Sequence, residues 1–242
     1  MTSTSPIALI TGASSGIGEA ICRLLISHRY RVIGAARTET KLQTLGEELG
    51  SLFCPLVLDV CDATSVSELR NRLPENFRSI DVLINNAGHD IGGRRSFEQG
   101  SAQQWSDIVE TNVQGLMRVT HAVIDGMLER GHGHVINLGS IAGLKPFATM
   151  APYVTSKYAV HGFSECLRLD YAGKGIRISE IMPGLVRTDF ARQRLGDALK
   201  AEEFYDSYEQ TLRPGDVAQT VLFTLEQPRH VEISQLVVLP VS

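Results

Sequence analysis

Near the start of the chain, the residues able to do chemistry form a cluster of small ones. Ile7-Ala8-Leu9-Ile10 is a short apolar run leading into Thr11-Gly12-Ala13-Ser14-Ser15-Gly16-Ile17-Gly18, and a helical pattern follows. Glycine permits positive φ and close approach to the main chain. A helix that starts at such a turn offers unpaired amides and its positive dipole end to a pyrophosphate. Strand, glycine turn and helix in that order are the context a dinucleotide requires. Gly12, Ser14, Ser15, Gly16, Ile17 and Gly18 are therefore candidate cofactor contacts. At the end of the second apolar run, where an acid would take a ribose 2′-hydroxyl, the chain reads Ala35-Ala36-Arg37-Thr38. A guanidinium there suits bidentate binding of a 2′-phosphate, which predicts NADP(H) over NAD(H). Asp59, after Leu56-Val57-Leu58, has two readings. It accepts a hydrogen bond from an adenine amine, or it caps the helix that begins near Asp62.

These residues need elements to hold them. Seven short apolar runs recur: Ile7-Ala8-Leu9-Ile10, Val32-Ile33-Gly34-Ala35, Leu56-Val57-Leu58, Val82-Leu83-Ile84, Val135-Ile136-Asn137-Leu138, Ile176 to Ile181, and Leu236-Val237-Val238-Leu239. Most are continuous rather than alternating, as in strands buried on both faces. Helical spacing fills 16–29, 38–49, 63–73, 102–130, 153–173 and 214–226. Alternation of strand and helix predicts an α/β fold: a Rossmann-type, doubly wound domain with a seven-stranded parallel sheet flanked by helices. No linker or internal repeat divides residues 1–242, so one catalytic domain is expected. The segment 185–213 is charged and follows the sixth strand, the place for a lid over a ligand.

Composition narrows the classes. The chain has 242 residues, 43% hydrophobic and 21% charged, with Lys+Arg 23 against Asp+Glu 27 and a net charge of -4. That balance suits a soluble globular protein and argues against a nucleic-acid partner. No apolar run of about 18 residues is present, so no membrane span is expected. The start, Met1-Thr2-Ser3-Thr4-Ser5-Pro6, lacks the basic region of a secretory signal. Cys22, Cys54, Cys61 and Cys166 form no CxxC, and scattered thiols predict a reducing cytoplasm. His132-Gly133-His134 has no acid or Cys partner at metal-binding spacing, and no metal is expected.

Further motifs then appear in a fixed order. Asn85-Asn86-Ala87-Gly88 follows the fourth strand, and Asn112 lies within a long helical stretch. Ser140 follows the fifth strand, Tyr153-Val154-Thr155-Ser156-Lys157 opens a helix, and Pro183-Gly184-Leu185-Val186-Arg187-Thr188 follows the sixth strand. The ordered set, spread over nearly the whole chain, resembles the short-chain dehydrogenase/reductase family. That resemblance implies a catalytic set of Asn112, Ser140, Tyr153 and Lys157. Tyr153 matches the proton donor and acceptor. A free phenol has a pKa of about 10. Lys157, four residues on and on the same helix face, is expected to lower it. In the family this lysine also holds the nicotinamide ribose. Ser140 matches the group that steadies the substrate oxygen, and Asn112 the one that holds a water passing protons from Lys157. The resemblance adds Val60, Asn86, Ala87, Gly88, Tyr153, Lys157, Pro183, Gly184, Val186 and Thr188 to Arg37, Asp59 and the glycine turn as cofactor contacts. Long apolar helices over 102–130 and 153–173 pair across a tetramer in this family, so a homotetramer or homodimer is expected.

The substrate is less constrained. Candidate pocket residues are His89, Lys145, Phe147, Met150, Leu185, Arg187, Phe190, Arg192 and Arg194. Three arginines within 187–194 suit a carboxylate, sulfonate or phosphate rather than a steroid or acyl chain. The runs Gly131-His132-Gly133-His134-Val135-Ile136-Asn137 and Pro183-Gly184-Leu185-Val186 resemble the NADP-dependent 3-hydroxy acid and serine dehydrogenase branch, and sulfoacetaldehyde reductases look similar. Asp189-Phe190-Ala191-Arg192-Gln193-Arg194 matches that branch's acid-Phe-x-x-x-Arg, which points to Arg194 as the anion contact beside Ser140, Phe147 and Tyr153. His89-Asp90-Ile91-Gly92-Gly93-Arg94-Arg95 departs from it by replacing a more apolar segment. The expected reaction is NADP(H)-dependent interconversion of a small polar alcohol and its aldehyde or ketone. Its rivals are a 3-oxoacyl carrier or thioester reductase, a sugar-nucleotide epimerase and a non-catalytic dinucleotide sensor.

Overall fold

The seven apolar runs become seven strands of one sheet in the computed structural model, which describes residues 5–93 and 95–241. The first four residues of the expected signal-free start, Arg94 of the polar departure, and Ser242 lie outside the described residues. The strands are β1 Ile7–Thr11, β2 Arg31–Ala36, β3 Phe53–Val57, β4 Val82–Asn85, β5 Gly133–Leu138, β6 Ile176–Pro183 and β7 Gln235–Val238. Their spatial order is β3-β2-β1-β4-β5-β6-β7, and every pair is parallel. Chain direction across the sheet reverses between β1 and β4, so a crevice opens beyond their carboxyl ends.

Successive strand residues point to opposite faces, and here both faces are covered. Leu9 and Ile10 are both fully buried, yet they belong to different cores. Ile10 packs with Ile21, Leu25, Val217 and Val221, under α1 (Gly16–Ser27) and α10 (Pro214–Leu225). Leu9 packs with Leu83, Val119, Met127 and Leu167 on the other face, under α6 (Leu116–Arg130) and α7 (Ala151–Asp170). The remaining helices are α2 (Glu39–Leu49), α3 (Ala63–Ser67), α4 (Leu69–Arg72), α5 (Ala102–Val109), α8 (Phe190–Leu195) and α9 (Ala198–Asp206).

Several boundaries differ from the sequence pattern, three of them in ways that matter to the architecture. The third strand begins at Phe53, three residues earlier than its apolar run, and contains Pro55. It lies at the sheet edge, where a missing N–H is tolerated. The helix expected over 102–130 is broken by a π-helical turn, Glu110–Gly115, which carries Asn112. Such turns cluster at functional sites. Within the expected 185–213 segment lie two short helices, α8 and α9. Its ends are clipped together by a parallel bridge between Val186 and Leu212, so the segment is a folded flap rather than an open loop.

Candidate active site

The glycine turn owes its shape to packing from behind. Gly12 has φ +67°, and a Cβ on Gly18 would lie 2.2 Å from the Gly12 carbonyl oxygen and 2.6 Å from Asn86 Nδ2. Helix α1 therefore starts directly against the turn. Asn86 Nδ2 donates to the carbonyls of Thr11 (2.9 Å) and Gly12 (3.2 Å), while the amides of Asn86 and Ala87 donate to Thr11 Oγ1. The Asn85-Asn86-Ala87-Gly88 run thus braces the turn. Ser15, the N-cap of α1, makes no side-chain bond to the first turn, which leaves those amides to a ligand.

A cavity of about 490 Å³ runs from this turn along the carboxyl ends of the strands. Gly12, Ser14, Ser15, Gly16, Ile17, Arg37, Asp59, Val60, Asn86, Ala87, Gly88, Pro183, Gly184, Val186 and Thr188 all line it; Gly18 does not, and acts by letting α1 approach. Arg37 is exposed at one end and makes no ion pair among the described residues. Lys41, on the first turns of α2, lines the same end. The sequence reading passed over Lys41, whose only signal was its place four residues after Arg37. Of the two readings of Asp59, the cap belongs to another residue: Asp62 Oδ1 accepts from the amides of Thr64 (3.0 Å) and Ser65 (3.1 Å). Asp59 Oδ1 instead accepts from the Cys61 amide at 3.0 Å, in the cavity wall. Unpaired helix amides, a free guanidinium and a cavity-facing carboxylate together fit a phosphorylated dinucleotide.

At the other end of the cavity stand Ser140, Tyr153 and Lys157. Ser140 leaves β5 extended, and its Oγ is fixed by accepting from the Ala142 amide at 3.1 Å. Helix α7 supplies the other two, with Pro152 favouring its first turn. Lys157 Nζ donates to the Leu138 carbonyl at 2.8 Å and lies 5.8 Å from the Tyr153 ring centre. Phe190 of α8 meets the Tyr153 ring edge-on at 5.6 Å.

The expected lowering of the Tyr153 pKa by Lys157 is corrected here. Burial dominates and pushes the phenol up to about 12, with a hydrogen bond to Ser140 pulling the other way. Burial also brings Lys157 down to about 8, opposed by Glu180. Tyr153 is thus a held proton, a state suited to donation onto a carbonyl oxygen. Asn112, expected to hold a water, has its side chain bonded to protein groups. Its Oδ1 accepts from the His89 amide (2.9 Å), and its Nδ2 donates to the His89 carbonyl and to Ser156 Oγ (each 3.0 Å). Ser156 in turn donates to the Tyr153 carbonyl at 2.7 Å. The Asn112 side chain therefore ties the segment after β4 to the helix that carries Tyr153.

The pocket candidates divide. His89, Phe147, Met150, Leu185, Phe190 and Arg194 line the cavity, whereas Lys145, Arg187 and Arg192 do not. The three arginines are not a joint clamp. Arg187 pairs with Glu202 and Asp206 of α9, and Arg192 is exposed. Arg194 is buried, and its Nε lies 2.9 Å from Asp90 Oδ2. Burial lifts Asp90 to about 6, with Arg194 opposing. Tyr205, absent from the sequence reading, bonds through its hydroxyl to the Val186 and Thr188 carbonyls (3.1 and 3.0 Å) and to the Thr188 amide (3.2 Å).

Fold and site together define a class: the chain belongs to the short-chain dehydrogenase family, whose description matches residues 6–198. Particular relatives sharpen this. The NADP-dependent 3-hydroxy acid dehydrogenase of Escherichia coli (strain K12) is 40% identical, with 98% of this chain and 95% of that one covered. A probable NADP-dependent dehydrogenase of Haemophilus influenzae is 39% identical, covering 97% of this chain and 93% of that one. The closed form of a serine dehydrogenase complexed with NADP+ superposes with a TM-score of 0.93 at 39% identity, over 96% of this chain and 94% of that chain.

Proposed function

We propose that residues 1–242 act as one NADP(H)-dependent oxidoreductase domain interconverting a small, polar, acid-bearing alcohol and its aldehyde or ketone. The observation that carries this reading is the meeting of Ser140, Tyr153 and Lys157 in the cavity that begins at the glycine turn. The dinucleotide, when bound, gives or takes the hydride. The amides of the α1 start bind its pyrophosphate, and Arg37 with Lys41 takes the 2′-phosphate. Ser140 orients the substrate oxygen, Tyr153 gives it a proton on reduction, and Lys157 supplies positive charge one helical turn away. Arg194 is the buried cation on the cavity wall that meets the substrate's acid group. The names of the relatives, 3-hydroxy acid and serine dehydrogenases, support an alcohol and an acid group on one small molecule.

The test is an assay of the purified protein with NADPH and NADH against malonic semialdehyde, sulfoacetaldehyde and acetoacetyl thioesters, and with NADP+ against serine and 3-hydroxypropionate. Turnover of free acids with NADPH or NADP+ is expected. Turnover confined to thioesters or to bulky apolar ketones would overturn the substrate assignment. We place the enzyme in the cytoplasm, on the ground that Cys22, Cys54, Cys61 and Cys166 are all free thiols. Among the described residues no helix is long and apolar enough to cross a membrane. Met117 on α6, with Tyr158 and Leu169 on α7, leaves apolar surface that supports a homotetramer or homodimer.

A further inference from the structure

Glu180 is a charged side chain in the middle of a parallel strand, fully buried, and the reaction as described does not use it. Its Oε2 lies 2.8 Å from Nδ1 of His161, which is on α7 one turn beyond Lys157. Its Oε1 has no hydrogen-bond partner among the described residues. The carboxylate fills the space beside Gly139, where a Cβ would come within 2.2 Å of Oε1. Gly139 is flanked by Leu138, whose carbonyl accepts from Lys157 Nζ, and by Ser140. Helix α7 is pressed onto the same turn, because a Cβ on Gly143 would lie 2.8 Å from the Lys157 carbonyl oxygen. A buried acid is costly unless something nearby uses its charge.

We propose that Glu180, held by His161, is a positioning residue for Lys157: its carboxylate is the buried counter-charge that keeps the Lys157 ammonium in place behind Ser140 and Tyr153. The inference rests on the functional reading above for the role of Lys157, though not for its own measurement. Charged groups that act on Glu180 come from α7: His161, Lys157 and Arg168, with Glu165 bonded to Arg168. The flanking strands bring neutral partners in register, Asn137 from β5 and Gln235 from β7. Burial raises Glu180 while His161 foremost lowers it, and Glu180 is the group that opposes the fall of Lys157 towards about 8. Removing the carboxylate's charge therefore lowers Lys157 further. Its ammonium is then lost at a lower pH, by about one unit.

The experiment is a profile of carbonyl reduction with NADPH from pH 5.5 to 9.5 for the parent, E180Q, E180D and H161Q. The limb on which activity falls with rising pH is expected near 8 in the parent and about one unit lower in E180Q. E180Q then turns over roughly tenfold more slowly than the parent at pH 9 and within about twofold of it at pH 6. H161Q shifts the limb in the same direction by less, and E180D moves it back towards the parent. A loss of equal factor at every pH, or an unmoved limb, would overturn the proposal. Should E180Q fail to fold, H161Q decides it on the same criterion. The pH dependence of Lys157 acetylation by acetic anhydride, read by mass spectrometry, reports the ammonium without turnover. The same downward shift is expected there, and its absence sinks the proposal even in a protein that reduces no carbonyl.

Discussion

The two ends of the cavity are built by different means. The cofactor end is made of main chain: helix amides, two close-packed glycines and the Asn86 brace on Thr11 and Gly12. The substrate end is made of side chains reaching across a folded flap, namely the Asp90–Arg194 pair, the Tyr205 hydroxyl and the Phe190 ring on Tyr153. A main-chain cradle changes only when glycine or packing changes, so it recognises the same ligand wherever it occurs. A side-chain wall changes with a single substitution, which suits it to choosing among substrates. Breaking each end should therefore have different consequences. Damage at the cofactor end alters which dinucleotide binds, and damage at the substrate end alters which carbonyl reacts.

The largest expected effect falls at the substrate end. Tyr153→Phe removes the proposed proton donor and leaves the ring packed on Phe190, so turnover should fall by roughly a hundredfold to ten-thousandfold. NADPH binding, followed by its fluorescence, should stay within a few-fold of the parent. Retained turnover would contradict the mechanism at its centre. The next effect belongs to the cofactor end alone. Arg37→Asp removes the charged bond proposed to the 2′-phosphate, a change of about 1.5–3 kcal/mol, or roughly tenfold to a hundredfold. The NADP/NAD ratio of kcat/KM should drop by at least that factor, with no change in the order of preferred carbonyls. An unmoved ratio would remove Arg37 from the cofactor site, and a changed carbonyl order would erase the separation between the two ends.

The same contrast explains what was legible in the sequence. Main-chain devices leave compositional marks. Glycines at positions 12, 16 and 18 after an apolar run, and an arginine in place of an acid at 37, were readable because few other residues fit those places. The strands were readable because both sheet faces are buried, so Leu9 and Ile10 are apolar side by side. Side-chain devices depend on partners distant in sequence. Arg194 is 104 residues from Asp90, and nothing local distinguishes an arginine aimed at a substrate from one already paired. Arg187, paired with α9 acids, shows the same difficulty. The π-turn at Asn112 was hidden for a related reason. It carries Asn112, whose bonds go to His89 and Ser156, partners distant in sequence. The raised pKa of the phenol is not legible because spacing puts Lys157 near Tyr153 without reporting the desolvation of either group.

At the substrate end, the Asp90–Arg194 pair sets the charge that an incoming acid group meets. Burial lifts Asp90 to about 6 against the pull of Arg194, so its negative charge is expected to be lost as pH falls through that value. Protonation therefore removes one carboxylate charge from beside Arg194, and so does Asp90→Asn at any pH. One charge about 4 Å away is worth about 4 kcal/mol at an effective dielectric of ~20 and about 1 kcal/mol in water, so in a cavity open to solvent it is worth on the order of 1 kcal/mol. Asp90→Asn should then lower KM for malonic semialdehyde roughly fivefold at pH 7.5. KM for an uncharged aldehyde of similar size should not follow. In the parent the same KM should fall as pH drops through about 6, and in the variant it should be flat. Equal changes for charged and uncharged aldehydes would show that the pair shapes the flap rather than its field.

The smallest effect tests the joint between the two ends. Thr188 sits over the glycine turn, its Cγ2 lying 3.3 Å from where a Cβ on Gly16 would stand. Its main chain is held to the flap by the Tyr205 hydroxyl, which accepts from the Thr188 amide and lies within bonding distance of the Val186 and Thr188 carbonyls. A hydroxyl has one proton, so it can donate fully to only one of those carbonyls at a time. Tyr205→Phe keeps the ring and its place beside Ala191 and Ala201 and removes only these bonds. The net loss should be about 0.5–1.5 kcal/mol, or roughly twofold to tenfold. It should appear in the KM for NADPH and in that for the carbonyl together, because Thr188 belongs to both walls. A change in only one of the two constants would mean that the cradle and the flap move independently, and that Thr188 does not join them.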